Sequence, residues 1–262
     1  MEITSSTSGV SDGSRTNDVS INLTFTASDD TSNVTPTFVE SDITVVDEEG
    51  NDVSYLLTEF TDSFPTYTAT LTRHANTTYT VTASAEVLTD QANNANASQT
   101  FSWTFDDVLP TMSITSTDVS SGDLTNDNPI NLTFTASEDI SGFTVDDIFV
   151  ELNNDGINRT STVISQFNGS GSTYTAILTP SADGQYAISV PDNKFQDIAT
   201  NVNDTSSNIF YWEYDGTSPT MTITSTTPNS MTSEDISSGD VTNDVSINLT
   251  FTASEETTNF VQ

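Results

Sequence analysis

Ile21, Leu23 and Phe25 alternate with Asn22, Thr24 and Thr26, the period-two pattern of a strand with one buried and one wet face. The same alternation runs through 67–72, 79–85, 174–179 and 186–190, where Thr, Val, Ile and aromatic residues dominate, as strands prefer. Apolar residues never recur at helical spacing over three turns, so the pattern predicts an all-β protein with almost no helix. In the middle of the chain, strands are expected near 111–116, 129–136, 147–152, 162–167, 172–179, 185–190 and 206–214, separated by clusters of Gly, Asn, Asp and Ser.

The strand phrase is also a repeat. The eight residues 21–28 recur unchanged as 130–137 and 247–254. Each copy follows a Thr-Asn-Asp triplet (16–18, 125–127, 242–244) and precedes two acids (Asp29 and Asp30, Glu138 and Asp139, Glu255 and Glu256). Pro110 opens a phrase that returns at Pro219, a spacing of 109 residues (219 − 110). Trp103-Thr104-Phe105-Asp106 closes one copy and Trp212-Glu213-Tyr214-Asp215 the next. The chain therefore divides into repeat one (1–107), repeat two (108–216) and an incomplete repeat three (217–262) carrying its first two strands. About seven short strands in 109 residues fit an immunoglobulin-like Greek-key β-sandwich better than a barrel or solenoid. The expectation is a tandem of such sandwiches, with Trp103 and Trp212 packed in the cores against Phe25 and Phe134 rather than stacking on carbohydrate.

These residues resemble the bacterial immunoglobulin-like repeats of giant cell-surface adhesins and biofilm-associated proteins. The resemblance is carried by the linkers 106–110 and 215–219 and by Phe143-Thr144-Val145-Asp146-Asp147-Ile148. The strand 174–179 with Ala182-Asp183-Gly184 after it, and the turn Asp197-Ile198-Ala199-Thr200-Asn201, carry it further. Thr200 stands where that family commonly has Gly, and repeat one reads Asp90-Gln91-Ala92-Asn93-Asn94 at the same turn. The resemblance implies a spacer that holds a distal binding domain away from a cell, hence an extracellular or cell-surface location.

Charge changes the picture of partners. Four basic residues face 38 acidic ones, for a formal net charge of -34, which repels nucleic acid and anionic lipid. Such self-repulsion calls for salt or bound cations. Cysteine is absent, so neither disulfides nor thiol chemistry contribute. No apolar run reaches the roughly 18 to 20 residues that span a bilayer, and 1–4 lacks the features of a signal peptide. The signal and anchor of an exported parent are thus expected outside this stretch, with no membrane insertion here.

The acids recur at equivalent loop positions, where an oxygen-ligated cation would need them. A sandwich of this type is entered at one end and left at the other, so its first loop lies near the exit and its second and last loops near the entrance. The first junction would gather Asp106 and Asp107 from the linker, Asp18 from repeat one, and Glu138, Asp139, Asp197, Asn201 and Asn203 from repeat two. The corresponding second set is Asp215, Asp127, Glu255 and Glu256. Ca²⁺, with 6 to 8 oxygen ligands in irregular geometry, suits such sets better than Mg²⁺, and would lock the angle between repeats. The competing reading is that these residues only make solvated Asx-turns.

Other motifs carry less. Asn153, Asp155 and Gly156 have calcium-loop spacing, but Thr162 replaces the twelfth-position Glu, so an Asp155-Gly156 hairpin turn is expected instead. Nine Asn-X-Ser/Thr sequons, among them Asn22, Asn33, Asn96, Asn131, Asn203 and Asn248, follow from composition. His74 is the only histidine and is expected at the surface, with no serine near a motif-spaced base, so catalysis is not expected. The functions left are a calcium-stiffened spacer of adjacent repeats, a filament or viral fibre in which identical chains complete repeat three by strand addition, and a glycan-binding module.

Overall fold

A computed structural model of the chain describes residues 1–27, 38–90, 92–229, 231 and 234–258. Ser28, Asp29, Asp30, Asn33 and Gln91 fall outside the described residues. Repeat one is a sandwich of two four-stranded sheets. One orders Glu2–Ser5, Ser20–Thr26, Thr66–Thr72 and Leu57–Ser63, and the other Ser14–Thr16, Gln99–Phe105, Thr77–Ala83 and Ile43–Val46. Repeat two duplicates this with Met112–Ser116, Ile130–Ala136, Thr173–Leu178 and Ile164–Ser170 facing Leu124–Thr125, Phe210–Tyr214, Gly184–Ser189 and Phe149–Leu152. Helix among the described residues amounts to Thr160–Val163 and three 3-10 turns.

Alternation decides which face is buried. Ile21, Leu23 and Phe25 are fully buried while Asn22 stays exposed, and the identical phrase in repeat two behaves alike. Each repeat has its own core, and the two cores share no residue. Trp103 stacks on Tyr79 at 5.6 Å and Trp212 on Tyr186 at the same distance, so each indole's stacking partner is a neighbour in its own sheet, while Phe25 meets Phe38 and Phe134 meets Phe143. The Tyr79 hydroxyl donates to the Ala75 carbonyl and accepts from the His74 and Ala75 amides. Tyr186 does the same with Ser181 and Ala182. This tyrosine corner and the two sheet orders are those of the immunoglobulin sandwich.

One feature is new and one expectation is corrected. The first strand of each sandwich is split, because the chain leaves one sheet and its continuation (Ser14–Thr16, Leu124–Thr125) runs parallel to the last strand of the other. Asp155-Gly156 is no hairpin: Phe149–Leu152 pairs in one sheet and Ile164–Ser170 in the other, so 153–159 is a crossover, pinned by Arg159 donating to both Asp155 oxygens. Alternating strands flank both kinds of connection, and periodicity does not distinguish them. His74 lies exposed. Repeat three shows Met221–Ser225 paired with Leu249–Ala253, the pairing its counterparts make, but with Ile223 61%, Leu249 56% and Phe251 46% exposed.

Candidate metal centre at the repeat junction

The exit end of repeat one is built around its last strand. Ser14–Thr16 pairs with 103–105 of that strand, and the Asp106 amide continues the ladder to the Thr16 carbonyl at 3.0 Å. This sets the triplet Thr16-Asn17-Asp18 beside the first linker residue, with Thr16 donating to Asp18 and accepting from its amide. From the entrance end of repeat two come Glu138, after the strand Ile130–Ala136, and Asp197, whose short strand pairs with Ile140–Ser141. The turn after Asp197 closes on Asn201. The Asn201 amide and side-chain amide both donate to the Asp197 carboxylate, at 2.8 and 2.9 Å.

Asp106, Glu138 and Asp197 converge, each offering an oxygen within 4.8 Å of the others'. Asp106 and Asp197 are buried and Glu138 half-buried. Arg15 stands 3.4 Å from Asp106 and 3.9 Å from Glu138, so these four side chains carry a formal charge of about −2. Burial pushes the Glu138 carboxyl above its usual range, and Asp197, Asp106 and Asp139 push the same way against Arg15. In the window between the unfolded and folded values the native state binds more protons, so stability is lost as pH rises through it. Oxygens ligating one calcium at 2.3–2.6 Å can lie no more than about 5 Å apart, so the three carboxylates fit the ion. Asp106, Glu138 and Asp197 would hold it, and the ion would supply the missing positive charge.

Of the other carboxylates expected there, none joins this group among the described residues. Asp107 turns to repeat one, accepting from Asn76 at 2.7 Å and pairing with Arg73 at 3.5 Å, while Arg73 lies over the Phe105 ring. Asp18 is tied to Thr16 and Asp139 is exposed. Asn203 is a loop staple: its oxygen accepts from the Lys194 and Phe195 amides and its nitrogen donates to Pro191 and Thr205, filling every position. Asn96 does the same in repeat one, so both sequon amides serve the fold.

Asn201 is likewise committed. Its side-chain amide also donates to the Asp106 carbonyl at 2.9 Å, and its side-chain oxygen accepts from the Asn17 side chain at 3.0 Å. At the second junction Asp215 repeats the Asp106 ladder bond, to Thr125, and Asp127 donates its amide to Thr125. Glu255 keeps one buried oxygen without a partner and Glu256 is exposed. Position 124 is Leu where repeat one has Arg15, and no three-carboxylate group forms there among the described residues. Arg15 and Asn17 were not expected at the junction, although a basic residue beside the triplet, in a chain with four, was the available signal.

Residues 106–212 match the family model described as a bacterial Ig-like domain, a span that runs from Asp106 to the core Trp212. No curated protein matches the chain. Among solved structures, an I-band fragment of titin is 10% identical, over 91% of this chain and 82% of that one, with a TM-score of 0.37. A fragment of intimin is 10% identical over 80% and 99%, with a TM-score of 0.29. The N-terminal part of the bacterial S-layer protein SbsC is 16% identical over 75% and 42%, with a TM-score of 0.25.

Proposed function

We propose that this chain is a run of spacer repeats from a long extracellular or cell-surface, adhesin-like protein, and that Ca²⁺ stiffens the joint between repeats. The observation that carries the reading is the meeting of Asp106, Glu138 and Asp197. They come from the linker, the second loop and the last turn, so an ion among them ties three separate segments across one joint. A divalent cation balances the residual charge of about −2, which the hydrogen bonds to Asp197 and Asp106 leave in place. The test is thermal unfolding with small-angle scattering, with calcium and with chelator. Higher stability and a narrower distribution of lengths in calcium support the reading, and identical profiles refute it.

A second reading is a filament joined by strand addition. It draws on the two-stranded sheet of Met221–Ser225 and Leu249–Ala253, whose apolar face is exposed and whose outer edges a strand from a neighbouring chain would extend. Sedimentation at rising concentration separates the two: a spacer stays monomeric and a filament grows.

A further inference from the structure

The joint holds a second device that uses no carboxylate oxygen as a ligand. Asn17 donates its backbone amide to the Ala199 carbonyl at 3.2 Å and its side-chain amide to the Asn201 oxygen at 3.0 Å. The Thr200 hydroxyl donates to the Asn17 oxygen at 3.4 Å. One residue from repeat one thus engages three consecutive residues of the turn in repeat two, and Asn201, reached also by the linker carbonyl, is 4% exposed. Asparagine suits this place because it offers a donor and an acceptor without charge. Aspartate there would add a fourth anion beside Asp106, Glu138 and Asp197.

The same turn is built once more, at the entrance end of repeat one. Asn94 donates its amide and side chain to Asp90 at 2.8 and 2.7 Å, and the Asp90 amide donates to the Asn94 carbonyl at 3.0 Å. Asn93 has φ 66° where Thr200 has 70°. Asn94, however, lies exposed. The mating part is repeated too: Asn126 stands exposed in its triplet, beside Asp215 at the exit end of repeat two.

We propose that the turn residues Asp90 and 92–94 form a docking surface for the exit end of a further repeat of this type, read by the asparagine of that repeat's Thr-Asn-Asp triplet. The partner is a sandwich whose last strand ends in aspartate with the triplet alongside. The proposal deepens the spacer reading and rests on it, but not on its metal.

The test is hydrogen exchange in chelator on a chain with residues 108–220 duplicated ahead of Met1. The amides of Asp90, Asn93 and Asn94 should exchange about ten-fold more slowly than in the native chain, the effect of roughly one net hydrogen bond. Asn126→Ala in the added copy should abolish the slowing. In the native chain, Asn17→Ala should speed exchange at Asp197, Thr200 and Asn201 about ten-fold while the core strands keep their protection. Unchanged exchange at Asp90, Asn93 and Asn94 in a folded extended chain overturns the proposal, as does unchanged exchange at 197–201 in Asn17→Ala. If the added sandwich does not fold, residues 1–111 duplicated ahead of Met1 supply the same comparison at Asp90, Asn93 and Asn94, with Asn17→Ala in the added copy as its control. A joint indifferent to calcium would refute the metal and leave both comparisons standing.

Discussion

At the scale of single residues the junction is a balance of like charge, and substitutions should tip it in opposite directions. Glu138→Gln removes one of three converging carboxylates, so the metal-free protein gains about 0.5–1 kcal/mol, while calcium binding weakens at least ten-fold. Arg15→Gln removes the counter-charge, so the metal-free protein loses stability and calcium binds more tightly. Calorimetric titration together with melting in chelator reads both effects. Because the folded Glu138 value is raised, metal-free wild type should become more stable as pH falls from neutrality through that window, and Glu138→Gln should flatten the response. Thr200 is β-branched at φ 70°, where such a residue is strained. Thr200→Gly should add about 0.5–1 kcal/mol to repeat two, measured by denaturant unfolding.

At the scale of elements the periodic residues were legible and the connections were not. The alternation of Ile21, Leu23 and Phe25 leaves one arrangement that buries all three, and the spacing of the repeats alone puts Asp106, Glu138 and Asp197 near a common end. Asn203 reads in sequence as either ligand or staple, because the amide is the same and only the partners differ. The two roles part experimentally. Asn203→Ala leaves two backbone amides and two carbonyls without their partner and should cost about 2–3 kcal/mol of repeat-two stability, equally with calcium and with chelator. A ligand would show its cost in calcium only. The clasp of Asn17 was hidden for a related reason: a Thr-Asn-Asp triplet satisfies its own turn, and nothing in its local chemistry shows that the middle residue reaches the next sandwich.

At the scale of the whole molecule, a net charge of -34 sets every other energy against a repulsive background. Raising salt from 0.1 to 1 M shortens the screening length from about 10 to 3 Å, so the metal-free melting temperatures of both repeats should climb steadily with sodium chloride. Calcium should act otherwise, saturating near one ion at the first joint and raising repeat two, which supplies Glu138 and Asp197. Scanning calorimetry at fixed ionic strength separates the two responses. The parallel pairing of Ser14–Thr16 with the last strand of its sandwich also has a mechanical meaning. A spacer under flow is pulled from its two ends, and tension drawing these parallel strands apart slides them lengthwise, loading their bonds together rather than peeling them one by one. The ladder runs alike in both repeats, from the Gly13 amide on Ser102 to the Asp106 amide on Thr16 and from the Gly122 amide on Tyr211 to the Asp215 amide on Thr125, so the two sandwiches should yield at similar force.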